Sequence, residues 1–261
     1  MSPSSCCPPG SWPALQSDVN YQPQGQITDL GDGVEAYIVK GNETNSHCLL
    51  SFQDIFAFNS ARHFPVVDQF ATAGFTVVHV NFLQDDYYQG DFTDFPDWIR
   101  NHAYDKVIQA KLQQTVLPYI STTLDFSKVG TIGFCYGSYM SFMAAADDTV
   151  ASLLAAGVGF HPSHKGHTFV DPKDPECNIP AKAVKMPQLL VAAGNDPDFV
   201  KPEGSLIKTL HTSHSPSSKA VVFDNMSHGW VNRGDVADPA VQEGVKTAIE
   251  LAVSFLKKHM A

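Results

Sequence analysis

Three side chains of this 261-residue chain, Cys135, Asp196 and His228, have the types and local settings that nucleophilic chemistry needs. Cys135 is centred in Gly133-Phe134-Cys135-Tyr136-Gly137, after Val129-Gly130-Thr131-Ile132 and before a stretch that runs to Ala144-Ala145-Ala146, which reads as strand, sharp turn and helix. A nucleophile at the tip of such a turn needs glycine two residues to either side, because a Cβ there would meet neighbouring backbone. The helix that follows aims its N-terminal N–H groups and positive dipole end at the sulfur, which favours the thiolate. An imidazole within hydrogen-bond reach can take the thiol proton, and a carboxylate on the far ring nitrogen fixes the tautomer and stabilises the imidazolium. Asp196 stands in Gly194-Asn195-Asp196-Pro197-Asp198, straight after the apolar run Gln188–Ala193, and His228 stands in Asn225-Met226-Ser227-His228-Gly229-Trp230, after the run Lys219–Phe223. Asp198 competes for the acid's role; Asp196 is preferred because it lies nearer the strand end. The bland alternatives are a buried structural cysteine and a turn-forming acid.

The elements that must position these residues alternate along the chain. Residues 34–40 alternate apolar and polar like an edge strand, and Cys48–Phe52 is a short apolar run like a buried one. Phe64, Val67, Phe70 and Ala71 recur at helical spacing until Gly74, and further strands are expected at 75–80, 129–134, 151–160, 188–193 and 219–223. Amphipathic helices are expected over 104–117 and from Val241 to Leu256. Strands alternating with helices predict an α/β fold: a single domain over 27–261, a doubly wound, mostly parallel sheet with helices on both faces, preceded by an irregular Pro- and Ser-rich arm over 1–26. Active groups then collect at the C-terminal ends of the parallel strands.

The loop Gln53-Asp54-Ile55-Phe56-Ala57-Phe58-Asn59 is unusually apolar for a surface connection. Its position after an early buried strand makes the Ile55 amide the candidate partner of the Tyr136 amide in an oxyanion hole. Residues 84–101 mix acids with five aromatics and are expected to act as a lid or pocket wall. His161, at a strand end, is expected to line the pocket, and Trp230 to contact the substrate. His161, His164 and His167 share an irregular loop without the helical register of a metal site, and Cys6-Cys7 reads as two surface thiols, so no metal and no cofactor are expected. Five cysteines in neither an even framework nor Cys-x-x-Cys pairs read as free thiols.

A net charge of −10 with only 17 Lys and Arg would repel a phosphate backbone, so nucleic acid is excluded as a partner. The chain lacks an apolar run of membrane-spanning length and a leader pattern at Met1-Ser2-Pro3-Ser4-Ser5, which predicts a soluble, cytoplasmic protein, monomeric or homodimeric.

Gly-Phe-Cys-Tyr-Gly, the Gly-Asn-Asp turn and the late His-Gly-Trp resemble the dienelactone hydrolase family of α/β hydrolases, over about residue 20 to the C-terminus. The resemblance implies a single α/β-hydrolase domain without a large cap, which opens small lactones or cleaves small esters through an acyl-cysteine. It assigns the triad to Cys135, Asp196 and His228, and the second oxyanion donor to Ile55. Asp54 falls where the family carries an acid that contacts the nucleophile, one methylene longer. Arg233, five residues after His228, becomes the candidate anchor for a substrate carboxylate. A non-catalytic binding protein on the same fold, or an acyltransferase, are the alternative readings.

Overall fold

Short β-branched and aromatic runs separated by amphipathic stretches give eight strands and ten α-helices among the described residues. A computed structural model describes residues 7–15, 18, 20–41 and 47–261; Cys6, one half of the arm's cysteine pair, lies outside the described residues. The strands are β1 (Gln26–Asp29), β2 (Glu35–Val39), β3 (Cys48–Phe52), β4 (Thr76–Val80), β5 (Val129–Phe134), β6 (Leu154–Phe160), β7 (Gln188–Ala193) and β8 (Lys219–Phe223). The helices are α1 (His63–Thr72), α2 (Phe95–Asn101), α3 (Gln109–Lys111), α4 (Leu117–Thr122), α5 (Tyr136–Ala146), α6 (His167–Val170), α7 (Asn178–Ala183), α8 (Ser205–Thr212), α9 (Trp230–Arg233) and α10 (Pro239–Met260). Two π-helical stretches, Tyr104–Ile108 and Leu112–Val116, flank α3 and make 104–122 one continuous helical rod.

One sheet runs in the order β1-β2-β4-β3-β5-β6-β7-β8. Strands β3 to β8 pair in parallel, while β1 and β2 add an antiparallel end. The expectation of an edge strand at 34–40 is corrected here: β2 is inside the sheet, and the edge is β1, whose single apolar residue, Ile27, is 55 % exposed.

Successive residues of a strand point to opposite faces. Leu49, Val77, Ile132, Leu189 and Val191 therefore meet α1 and α10 on one face. Leu50, Val78, Leu190 and Ala192 meet the 104–122 rod, α5, α7 and α8 on the other. Parallel central strands buried on both faces need near-continuous apolar runs, which β3 and β7 supply. Helix α10 starts sharply: Pro239 opens it, and the Asp238 side chain accepts a hydrogen bond from Ala240 N at 2.8 Å. Its Val241, Val245, Ala248, Ile249, Ala252, Phe255 and Leu256 form the buried stripe. Among the described residues no helix is long and apolar enough to cross a membrane.

Strand β5 is central in the sheet, and α5 returns so closely over it that the turn depends on two glycines. A Cβ on Gly133 would collide with the Gly137 carbonyl, and one on Gly137 with the carbonyls of Phe52 and Gln53. All of these are backbone atoms with nowhere to go. Gly137→Ala is therefore expected to lower the unfolding free energy by about 3 kcal/mol, read as a lower urea midpoint; an unchanged midpoint would show that α5 can pull away from β3.

Candidate active site

The turn between β5 and α5 holds Cys135 at φ +54° and ψ −115°, a conformation that a non-glycine residue adopts only when its surroundings force it. Backbone bonds on both sides hold it: Cys135 N donates to Phe160 O at 3.0 Å, and Cys135 O accepts from Ser138 N at 3.1 Å and Ser163 N at 3.3 Å. The sulfur then projects from the C-terminal end of β5 over the first turn of α5.

The loops after β7 and β8 bring the other two groups to it. His228 Nε2 lies 3.1 Å from Cys135 Sγ, and His228 Nδ1–H donates to Asp196 Oδ1 at 2.6 Å. Each partner is itself fixed, since Asp196 Oδ2 accepts from Ala193 N at 2.7 Å and His228 N donates to Asn195 Oδ1 at 2.7 Å. Asp198 takes no part: its carboxylate faces solvent and pairs with Lys201 at 3.2 Å. Burial by itself would push the His228 imidazole down. The negative charges of the Cys135 sulfur and the Asp196 carboxylate outweigh it and hold the ring well above its ordinary value. The buried ring is thus arranged to carry a proton between two anions.

Around this row the sequence expectations divide. Ile55 is fully buried in the loop leaving β3, which is tied down by Phe56 N to Asp54 Oδ1 at 2.9 Å, Gln53 Nε2 to Phe56 O at 2.9 Å and Tyr88 N to Ile55 O at 2.7 Å. Tyr136 opens α5, and its hydroxyl donates to His102 O at 2.7 Å. The loop and the helix start pack against each other where Gly137 meets the Phe52 and Gln53 carbonyls. His161 and Trp230 stand beside the His228 imidazole, with ring centroids 5.0 Å from His161 to His228 and 5.5 Å from His161 to Trp230. Both are fully buried, and the His161 side chain also hydrogen-bonds with Cys135. Burial pushes His161 down to about 4, so it is neutral at physiological pH.

Arg233 has its own buried partner. Its Nη1 donates to Asp54 Oδ2 at 2.7 Å, and its guanidinium lies 5.0 Å from the centroid of Phe56. Asn232 Nδ2 also donates to Asp54 Oδ2 at 2.8 Å, and His63 Nε2 stands 3.4 Å from Asp54 Oδ1. Burial would raise the Asp54 carboxyl, but the charges of His63 and Arg233 hold it well below the usual carboxylate range. The acid thus anchors the arginine and the β3 loop.

A cavity of about 810 Å³ adjoins the site, walled by Phe56, Tyr87, Tyr88, Phe92, Trp12 and Arg233. Tyr87, Tyr88 and Phe92 of 84–101 therefore form part of the wall, while Phe95 and Trp98 belong to α2. Between cavity and sulfur lies Cys7, with its Sγ 3.8 Å from Cys135 Sγ. The arm carrying it crosses the strand ends, with Asn195 Nδ2 donating to Pro9 O at 3.0 Å, Trp12 N to His228 O at 2.9 Å and Ala61 N to Leu15 O at 2.8 Å. Sequence reasoning missed Cys7 at the site. It also missed Ser163, whose Oγ is 3.1 Å from Cys135 Sγ and 3.4 Å from His228 Nε2. Ser163 was discoverable, since it lies just past the end of β6 beside the nucleophile strand; nothing local marks Cys7.

With this geometry in place, comparison with known proteins is specific. A model of the dienelactone hydrolase family matches residues 34–260. The chain belongs to that family. It is 23 % identical over 247 residues to a carboxymethylenebutenolidase homolog of Rattus norvegicus, covering 93 % of this chain and 94 % of that protein. It is 22 % identical over 250 residues to hydrolase tropI of Talaromyces stipitatus, covering 91 % of each. Among solved structures, a dienelactone hydrolase from Anabaena variabilis superimposes with a TM-score of 0.57 at 17 % identity, over 92 % of this chain and 99 % of that one. An acylaminoacyl peptidase of Pyrococcus horikoshii reaches a TM-score of 0.64 at 15 % identity, over 91 % of this chain but 42 % of the other. These likenesses establish an α/β-hydrolase fold.

In this family member the Asp54–Arg233 pair is wholly buried, so removing one partner strands the other charge. Arg233→Leu is expected to cost about 3–5 kcal/mol of stability, and adding Asp54→Asn to recover most of it. Because the folded carboxyl titrates below its unfolded value, its stabilising contribution is complete above about pH 4 and fades as the pH falls. Denaturant titrations should show wild type losing stability below pH 4 more steeply than Asp54→Asn; parallel curves would show that the carboxylate is not held ionised by its partners.

Proposed function

We propose that this chain hydrolyses small esters or lactones through a covalent acyl-cysteine. The observation that carries the reading is the buried row Asp196–His228–Cys135, with contacts of 2.6 and 3.1 Å at the tip of a strained strand-to-helix turn. A spectator thiol needs neither the strain nor the pair of ordered partners. Membership of a hydrolase family points the same way.

The steps follow from the geometry. Substrate occupies the aromatic cavity and reaches the sulfur once the Cys7 side chain yields, since Cys135 and His228 are fully buried beneath it. His228 Nε2 takes the Cys135 proton, and the thiolate attacks the carbonyl carbon. Negative charge moves to the carbonyl oxygen, where the amides of Tyr136 and Ile55 receive it, each worth roughly 3 kcal/mol in the transition state. His228 returns the proton to the leaving oxygen, which departs as an alcohol or, in a lactone, stays tethered as the freed hydroxyl. A water molecule, deprotonated by the same ring, then attacks the thioester and releases the acid. Asp196 keeps the Nδ1 proton in place and stabilises the imidazolium in both halves. Arg233 borders the cavity while paired with Asp54, and it is the proposed contact for a substrate carboxylate. The free buried thiols Cys48 and Cys177 suit a reducing compartment, so the cytoplasm is the proposed location.

Asp196→Asn should lower kcat for an activated aryl ester by two to four orders of magnitude, whereas Asp198→Asn should stay within about twofold. Asp196 is one of the anions that raise His228, so its neutralisation lets the imidazolium lose its proton at lower pH. The alkaline limb of kcat/KM in Asp196→Asn should therefore move downward. A larger loss in Asp198→Asn than in Asp196→Asn would overturn the assignment of the acid.

A further inference from the structure

Cys7 Sγ, Cys135 Sγ and His228 Nε2 all lie within 4.8 Å of one another, and they form the only such metal-capable group of three among the described residues. The separation of the two sulfurs discriminates between the things a thiol pair can do. A disulfide needs them at about 2.05 Å, so the observed 3.8 Å requires both side chains to move by a large fraction of the gap. Two thiolates bound to one zinc-type cation, each at about 2.3 Å in a tetrahedral arrangement, stand about 3.8 Å apart. His228 Nε2, at 3.1 Å from Cys135 Sγ, needs to open by only a few tenths of an ångström to reach the sulfur–nitrogen edge of the same tetrahedron, about 3.5 Å.

The surroundings complete the donor set. A metal-bound imidazole characteristically donates its other N–H to a carboxylate, and His228 Nδ1–H already does so to Asp196 at 2.6 Å. Two thiolates also neutralise a divalent charge, which suits a site where all three ligands are buried. Cys7 also lines the cavity, which gives an ion and a water ligand a route to the three donors.

We propose that Cys7, Cys135 and His228 form a binding site for a thiophilic divalent cation such as Zn²⁺, with water as fourth ligand, and that its occupation blocks the nucleophile and pins the arm. On binding, the cation displaces one proton from the Cys7 thiol and one from the Cys135–His228 pair, and no electron transfer is involved. The Nδ1 proton stays on the Asp196 side. The site is defined by binding and does not require Cys135 to turn over substrate.

The test uses the full chain held reduced with a non-thiol phosphine. Titration with Zn²⁺ alone should show one tight site with about two protons released per ion, measured by calorimetry in buffers of different ionisation enthalpy. Co²⁺ alone should give thiolate-to-metal charge-transfer absorption in the near ultraviolet. In Cys7→Ser, and in Cys7→Ala as a second variant without any ligand at that position, Zn²⁺ affinity should fall at least about a hundredfold. The charge-transfer absorption at saturating Co²⁺ should fall to about half. Where ester turnover is present, Zn²⁺ should inhibit it reversibly, with chelator restoring each protein to its own metal-free rate. Zn²⁺ affinity and Co²⁺ absorption that are the same in wild type and both Cys7 variants, or a wild-type Co²⁺ spectrum without thiolate absorption, would overturn the proposal while leaving the acyl-cysteine reading untouched.

Discussion

The site depends on holding one non-glycine residue where the backbone resists going. Cys135 at φ +54° costs on the order of 1–3 kcal/mol, and the fold sustains that cost by packing α5 hard against β5 and β3 through Gly133 and Gly137. Three backbone hydrogen bonds from β6, α5 and the Ser163 turn over-determine its position. Because the strain is absorbed by the centre of the sheet, the sulfur is a fixed point on which the loops after β7 and β8 converge.

The same burial decides the electrostatics. Asp54, Asp196, His228 and Arg233 are all nearly or fully buried, where an isolated charge would be driven to neutralise. Each one instead faces an opposite: Asp54 meets Arg233, and Asp196 meets a ring that also faces the sulfur. The two pairs divide the labour. Asp54–Arg233 holds the β3 loop and places a cation on the cavity wall, while Asp196–His228 keeps a proton within reach of the sulfur. The arm adds a third layer, since Trp12 and Pro9 bind the loops that carry His228 and Asn195.

Much of this could be read from residue order. The parallel core was legible because β3, β5 and β7 are short, largely apolar runs, and Cys135, Asp196 and His228 stood out because Cys135 directly follows β5 while the other two lie in the turns after β7 and β8. Strand β1 was not, since Gln26–Asp29 has one apolar residue and exists as a strand only through its pairing with β2. The alternation of apolar and polar residues over 34–40 suggested an edge, but the antiparallel partner β1 covers that side. His161 and Trp230 were assigned to the pocket by their nearness in sequence to a strand end and to His228. In the structure both rings lie in the core beside the His228 ring, in edge-to-face contact, His161 against His228 and Trp230 against His161. Cys7 was illegible for a different reason: an irregular arm has no periodicity, and 128 residues separate it from the sulfur it meets.

The central claim is that Cys135 carries the acyl group during turnover. Rapid acid quench of the enzyme with a slowly deacylating aryl ester, followed by peptide mass analysis, tests it most directly. The account predicts a transient mass increase equal to the acyl group on the peptide containing Cys135, formed and lost at rates that match turnover, and absent in Cys135→Ala. Steady hydrolysis with an unmodified Cys135 peptide at every time point would contradict it.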